Sequence, residues 1–170
     1  ILSPLKYSII AVVILTIANY IGIKKVGKLN LAIVSITLLT LIYLIFSGIT
    51  SINTEYFIPF APLGISGIAE ASALLFFAYT GYARIATLAE EVRDPKKTIP
   101  KAIIITIVLA ITLYISVSLI AVGVIGTEKM ADSKSPLQIV ANSLSTPLIS
   151  TIVTIGASTA MLGVLLSQIL

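Results

Sequence analysis

The 170-residue chain contains no cysteine and no histidine. It therefore lacks disulfides, thiolate and imidazole metal ligands, and the histidine base that serine hydrolases need. Charged residues are also scarce, at 11% of the chain, whereas hydrophobic residues make up 58%. These proportions lie outside the range of soluble globular domains, so the sequence predicts an integral protein of the lipid bilayer.

The basic residues do not form a patch that would bind nucleic acid. The net charge is +4, and the Lys and Arg residues lie mostly in short loops between apolar runs. Charge placed in this way reports membrane topology, and no motif for DNA or RNA binding accompanies it. We therefore expect no nucleic acid among the partners.

Five apolar runs are long enough to cross a membrane, which takes about 20 mostly apolar residues. They cover residues 5–23, 29–47, 65–87, 103–125 and 147–170. We predict an all-α membrane protein with five transmembrane helices in one transmembrane region. Because the chain starts without methionine and stops inside an apolar run, we expect it to be incomplete at both ends.

The connections between the runs predict which side each faces. Those after the first and third runs hold seven basic residues, Lys24, Lys25, Lys28, Arg93, Lys96, Lys97 and Lys101. The opposite side holds three, Lys6, Lys129 and Lys134. By the positive-inside rule the first group faces the cytoplasm of a multi-pass protein of the cell membrane. On the outer side, Ser135 and Pro136 favour a turn followed by a short interfacial helix.

The third run is interrupted by the sequence AYTGY at residues 78–82. A glycine there lets the backbone leave helical geometry at little steric cost. Backbone groups freed in a membrane are tolerated where they line a cavity or are buried in protein, so Gly81 marks a candidate break and binding site. The alternative is that Gly81 only provides a surface for close helix packing.

Residues 76–103, FFAYTGYARIATLAEEVRDPKKTIPKAI, combine an aromatic pair, A-Y-x-G, A-E-E and D-P-x-K-x-I-P-x-A. This run resembles the sixth helix and following cytoplasmic loop of amino acid permeases in the amino acid, polyamine and organocation (APC) transporter superfamily. Residues 14–30, ILTIANYIGIKKVGKLN, more weakly resemble the junction between the family's fourth and fifth helices. The resemblance implies that the five spans are the fourth to eighth helices of a five-plus-five inverted-repeat, leucine-transporter-like fold, completed by the remaining helices of the full-length transporter.

The resemblance also implies a substrate site. Permeases of this family use no cofactor and hold an amino acid on the backbone of two broken helices. The ends of these helices carry partial charges opposite in sign to the substrate groups that they face. Carried over to this chain, the carbonyls of Phe77 and Thr80 face the substrate amino group, and Phe77 is an aromatic lid. Ala78, Tyr79 and Gly81 shape the pocket. The family's other broken helix corresponds to none of the five spans.

Apart from Lys6 at the very start of the first run, two charged residues lie inside a predicted span, where a charge costs roughly 3 kcal/mol at the membrane centre. Glu70 lies near the outer end of the third span, and Arg84 follows Gly81 by about one turn. Arg84 either forms a structural salt bridge with the glutamates at 90 and 91 or has a functional role. Glu70 either extends outward to the interface or lines an outer vestibule.

The chain departs from the family's pattern at a position that is linked to ion coupling in that family. Many proton-coupled members have a lysine in the fifth helix, ten residues after the glycine that corresponds to Gly27, and this chain has Thr37 there. Thr37 either bonds its own helix backbone or belongs to a different coupling. The second interpretation would have sodium held by hydroxyls such as those of Ser158 and Thr159.

Secondary active transport of amino acids, by amino acid:proton symport or exchange, is the function that these features favour. An intramembrane enzyme would need paired carboxylates, a histidine cluster or a nucleophile with its base, and the predicted spans contain none of these. Two alternatives remain open. One is a structural or regulatory membrane protein without transport activity, and the other is a sodium-coupled transporter of another small organic cation or amine.

Overall fold

The computed structural model describes residues 4–20, 23–79 and 92–169. Within these ranges the chain forms six α-helices, α1 (Pro4–Tyr20), α2 (Ile23–Gly48), α3 (Gly64–Ala78), α4 (Pro95–Ala131), α5 (Pro136–Ser143) and α6 (Pro147–Ile169). Two short 3₁₀ helices follow α2, at Ile49–Ser51 and Thr54–Phe57. The described residues contain no β-strand, which confirms the predicted all-α class.

Three helical stretches are long and apolar enough to cross a membrane, namely Gly27–Ser51, Pro95–Ala131 and Leu148–Ile169. Shorter apolar helices occur at Ser8–Ile17 and Gly64–Ala78. Both statements concern only the ranges that the structure describes. The count of five membrane spans and the inverted-repeat fold therefore stay predictions.

Helix α4 extends beyond the apolar run that predicted it. It begins at Pro95, a residue favoured in the first helical turn, and the carbonyl of Asp94 accepts hydrogen bonds from the N–H groups of Lys97 and Thr98, both at 3.0 Å. Lysines in the first turns make this part of the helix polar, so an apolar run could not include it. Near its other end the helical geometry is interrupted at Gly126, where φ is 77° and ψ is 164°.

The helices belong to two compact units. The first comprises Ile1–Ser51 with Asp132–Leu170 and holds α1, α2, α5 and α6, whereas the second comprises Ile52–Ala131 and holds α3 and α4. In the first unit, α1, α2 and α6 contribute Leu15, Ile33 and Leu166 to one buried cluster. Because lipid tails are as apolar as these side chains, such a cluster stabilises a membrane protein through close packing.

Two glycines allow α6 to lie directly against α2. A Cβ atom added to Gly156 would lie 2.6 Å from the Cβ and the Oγ1 of Thr40. A Cβ atom added to Gly163 would lie 2.9 Å from the Cγ2 of Ile33. Carbon atoms pack at roughly 3.5–4.0 Å, so neither position has room for a side chain. The two glycines thus set the distance between the helices.

The short helix α5 is held against the first turns of α6. The Nε2 of Gln138 donates to the Oγ of Ser150 at 2.6 Å, and the Oγ1 of Thr154 donates to the Oε1 of Gln138 at 3.0 Å. Val140 of α5 and Ile149 of α6 are fully buried. The short helix that the sequence predicts in this connection is therefore present, and it is docked on α6.

Replacing Gln138 with leucine should loosen α5 and lower the free energy of unfolding by about 1–2 kcal/mol, since each lost hydrogen bond is worth roughly 0.5–1.5 kcal/mol. The loss is limited because the single hydroxyl proton of Thr154 can instead be donated to the carbonyl of Ser150, which lies 2.9 Å from its Oγ1. The midpoint of SDS denaturation in mixed micelles measures the change. Asn142→Leu is the matched control because Asn142 meets Gln138 at the longer distance of 3.5 Å. Equal losses of unfolding free energy in the two variants would show that the hydrogen bonds of Gln138 do not hold α5 on α6.

In the second unit, the connection that follows α2 packs on the last turns of α4. The N–H of Asn53 donates to the carbonyl of Gly123 at 2.8 Å. A Cβ atom added to Gly123 would lie 3.0 Å from the Cγ2 of Ile52, and one added to Gly126 would lie 3.3 Å from the Cδ1 of Tyr56. The two glycines therefore let this connection approach the backbone of α4.

Candidate functional site

The predicted substrate site begins where α3 ends. Tyr79 is the residue that caps the helix, with φ of −100° and ψ of −3°, and its N–H donates to the carbonyl of Phe76 at 3.1 Å. This hydrogen bond spans three residues, whereas the bonds of an α-helix span four, so the last turn is tightened. Phe77 and Ala78 are the final residues of the helix. Three of the predicted substrate-site residues thus lie together at one helix end.

The other two substrate-site residues, Thr80 and Gly81, lie outside the described residues, and so does Arg84. The predicted break at Gly81 and the direction of the Thr80 carbonyl therefore stay predictions. The choice between a structural and a functional role of Arg84 also stays open.

Two aromatic contacts lie at the end of α3. The rings of Phe76 and Phe77 meet edge to face, with centroids 6.1 Å apart and planes at 76°, and the Phe77 side chain is 72% exposed. The ring of Tyr79 meets Tyr114 of α4 with centroids 5.5 Å apart and planes at 68°. Such pairs contribute roughly 0.5–1.5 kcal/mol. Sequence reasoning missed Tyr114, because a single tyrosine in an apolar run carries no signal of its partner.

The end of α3 has the chemistry to bind a primary ammonium group. The last carbonyls of a helix carry a partial negative charge, which favours a cation at that end. An exposed aromatic ring such as that of Phe77 adds an apolar surface whose face also attracts cations. A helix end of this composition suits a ligand with an ammonium group next to an apolar part.

Glu70 lies in α3 about two turns before this end, and it is exposed. The neighbouring hydroxyl of Ser72 donates to the carbonyl of Ile68 at 2.7 Å and so belongs to the helix itself. Exposure is compatible with both predicted roles of Glu70, an outward-extending side chain and a vestibule carboxylate, and both stay open.

In the first unit, two of the three predicted coupling residues lie together. The Oγ1 atoms of Thr37 and Thr159 are 3.2 Å apart. Thr37 also donates to the carbonyl of Ile33 at 3.0 Å, and Thr159 donates to the carbonyl of Gly156 at 2.9 Å. Each hydroxyl has one proton, so when both protons are given to the carbonyls the two oxygens face each other through lone pairs. The pair then offers two acceptor oxygens at the contact between α2 and α6.

Ser158 is not part of this hydroxyl pair. Its Oγ donates to the carbonyl of Thr154 at 2.8 Å, and its side chain is exposed. A hydroxyl bonded to the preceding helical turn is the ordinary arrangement of serine inside a helix. Ser158 and Thr159 were named together as hydroxyls that could hold sodium, but successive residues of a helix do not share a face.

Comparison with known proteins places these features in a family. A family model described as amino acid permease matches residues 5–170. The chain belongs to the amino acid permease family. This match covers all six helices apart from the first residue of α1. The resemblance stated from residues 14–30 and 76–103 is therefore confirmed.

Several relatives of this permease have names that refer to transport. An uncharacterized transporter of Mycobacterium tuberculosis is 36% identical over 96% of this chain. A branched-chain amino acid permease of Bacillus subtilis is 31% identical over 92% of the chain, and a methylthioribose transporter of the same organism is 32% identical over 94%. With the three long apolar helices, these relatives identify a multi-pass membrane protein.

The chain covers only part of each relative. It spans 38% of the M. tuberculosis protein, 34% of the branched-chain amino acid permease and 36% of the methylthioribose transporter. A complete transport cycle is therefore a property to be proposed for the whole permease.

Proposed function

We propose that this permease carries out secondary active transport of amino acids across the cell membrane, by amino acid:proton symport or exchange. The observation that carries the proposal is the match to amino acid permeases over residues 5–170. The end of α3 supports it, because a helix carboxyl end beside Phe77 suits an ammonium group joined to an apolar side chain. In this proposal the substrate site includes residues 77–81 of this chain and is completed by the remaining helices of the transporter.

The proposed substrates are amino acids with branched apolar side chains. One relative is named a branched-chain amino acid permease. The aromatic rings of Phe76 and Phe77 fit that class, since they present apolar surface at the end of α3. A branched apolar side chain placed against these rings would remove apolar surface from water, which favours binding.

The coupling ion is proposed from the contact between α2 and α6. Thr37 cannot carry a titrating ammonium group as a lysine does, and its hydroxyl bonds its own helix and approaches Thr159. Proton coupling then requires a titratable group elsewhere in the transporter, or the protein exchanges one amino acid for another. Sodium coupling, the alternative, would use the oxygens of Thr37 and Thr159 as ligands.

Uptake by the full-length transporter in proteoliposomes tests the proposal. We expect accumulation of labelled L-leucine when the lumen is alkaline relative to the outside, or when the vesicles are preloaded with unlabelled L-leucine. Uptake that depends on an inward sodium gradient would instead support the sodium-coupled alternative. Absence of uptake under all three conditions would contradict transport of this class and favour a structural or regulatory role.

A second candidate substrate follows from the relative named a methylthioribose transporter. Methylthioribose has no ammonium group, so the partial charge at the end of α3 would give it no advantage. An excess of unlabelled methylthioribose should therefore leave L-leucine uptake unchanged, whereas an excess of L-isoleucine should abolish it. If methylthioribose competes and L-isoleucine does not, methylthioribose would replace branched-chain amino acids as the proposed substrate.

A further inference from the structure

We propose that Tyr114 of α4 is a positioning residue of the substrate site. In this proposal its ring holds Tyr79, and through Tyr79 the end of α3, at the place where the substrate ammonium binds. The inference rests on the proposed function and adds to it a residue that lies 35 positions from Tyr79 in the sequence. Tyr114 acts through Tyr79 and does not touch the substrate.

The contact joins the last turn of α3 to α4. Tyr79 caps α3, and its N–H closes the final turn on the carbonyl of Phe76 at 3.1 Å. Its ring meets the ring of Tyr114 at a centroid distance of 5.5 Å and an angle of 68°, which is the favoured edge-to-face arrangement. The backbone of Tyr79 belongs to the last turn of α3. A contact that fixes the position of its ring therefore also fixes the carbonyl groups of that turn.

Helix α3 has few other restraints among the described residues. None of the residues of α3 is buried, and the side chains near its end, Phe76 and Phe77, are mostly exposed. Within this part of the chain, the ring pair with Tyr114 is therefore an important restraint on the end of α3.

Helix α4 offers a firm support for this contact. Its backbone is helical from Pro95 through Pro100 to Ile125, and Tyr114 lies near the middle of this stretch. Binding groups are best held by side chains on such continuous elements, since a displacement of about 1 Å is enough to weaken a site.

Equilibrium binding of labelled L-leucine to the full-length transporter tests the inference. Tyr114→Ala should raise the dissociation constant about fivefold, because the end of α3 is then less well placed for the ammonium group. Tyr114→Phe should stay within about twofold of the parent, because the edge-to-face contact needs the ring and not the hydroxyl. Ile115→Ala is the matched control on the next residue of α4, an exposed apolar side chain.

A double-mutant cycle separates positioning from a direct substrate contact. If Tyr114 acts through Tyr79, then Tyr114→Ala should add no further loss of affinity to a Tyr79→Ala protein. Additive losses, or a Tyr114→Phe variant as weak as Tyr114→Ala, would overturn the inference. So would unchanged affinity in Tyr114→Ala.

A measurement without substrate keeps the inference separate from the proposed function. In a protein whose single cysteine is Ala78→Cys, the rate of maleimide labelling should change at least threefold on adding Tyr114→Ala and return to its original value with Tyr114→Phe. Only variants that elute as monodisperse protein are compared. If the parent protein binds no L-leucine, the proposed function is wrong. If labelling does not respond to Tyr114→Ala, the positioning role is wrong, whatever the substrate.

Discussion

Gly156→Leu should prevent α6 from packing on α2 and cause the largest loss of stability of any change considered. The added Cβ alone would lie 2.6 Å from the Cβ of Thr40, and backbone-attached atoms of a second helix cannot rotate away. Overpacking a core by single methylene groups costs roughly 1–3 kcal/mol. Four carbon atoms at this contact should therefore cost at least about 3 kcal/mol. We expect little monodisperse protein in detergent and a strongly lowered midpoint of SDS denaturation.

Glycine 27 provides the matched control, since a Cβ atom added there meets no other atom within 4 Å. Gly27→Leu should therefore leave the yield of folded protein and the denaturation midpoint nearly unchanged. A smaller, paired test uses Gly156→Ala with Thr40→Gly, where the second change removes the atoms that the new methyl group would meet. The double variant should be more stable than the sum of the single losses predicts. Equal effects of leucine at positions 27 and 156 would show that the contact between α2 and α6 does not limit stability.

The helices of this permease were predictable where hydrophobicity alone decides them. The apolar runs at residues 29–47 and 147–170 lie in α2 and α6. The turn residues Ser135 and Pro136 correctly predicted that a short helix, α5, follows them. The start of α4 was not predicted, because its first turns are rich in lysine and are stabilised by local hydrogen bonds to Asp94. Apolar content reports what a membrane can hold, whereas a helix also extends into the polar flanks.

The contacts between helices could not be predicted from the sequence. Thr37 and Thr159 are separated by 122 positions, and their meeting depends on the close approach that Gly156 permits. The contact between Tyr79 and Tyr114 of α4 could likewise not be predicted, because aromatic residues are common in apolar runs and do not indicate which residue they will contact. For the site, the sequence provided only the family motif at residues 76–103. A motif identifies residues that are close in the sequence, and it does not show which residues of other helices they contact.

Phe77→Ala should lower the maximal rate of L-leucine uptake about tenfold and change the dissociation constant less than threefold. The ring of Phe77 is 72% exposed at the end of α3, so it has surface available for a substrate. If it covers the substrate in the closed state, burying an aromatic side chain there contributes roughly 1.5–3 kcal/mol to closure. A loss of about 1.4 kcal/mol in a rate-limiting closure already slows transport tenfold. Initial binding depends on the backbone carbonyls, which the substitution leaves in place.

The neighbouring ring distinguishes this lid role from a general loss of aromatic packing. Phe76→Ala removes the same number of atoms and the same edge-to-face pair with Phe77, whose centroid distance is 6.1 Å. A lid role therefore predicts a much slower uptake for Phe77→Ala than for Phe76→Ala, with Phe77→Tyr close to the parent because it keeps the ring. Equal rates in the two alanine variants would mean that the ring pair stabilises the end of α3 and that Phe77 does not close over the substrate. A rise in the dissociation constant equal to the fall in rate would place Phe77 in the initial binding contact instead, because an interaction lost equally from the bound and the transporting states changes affinity rather than the maximal rate.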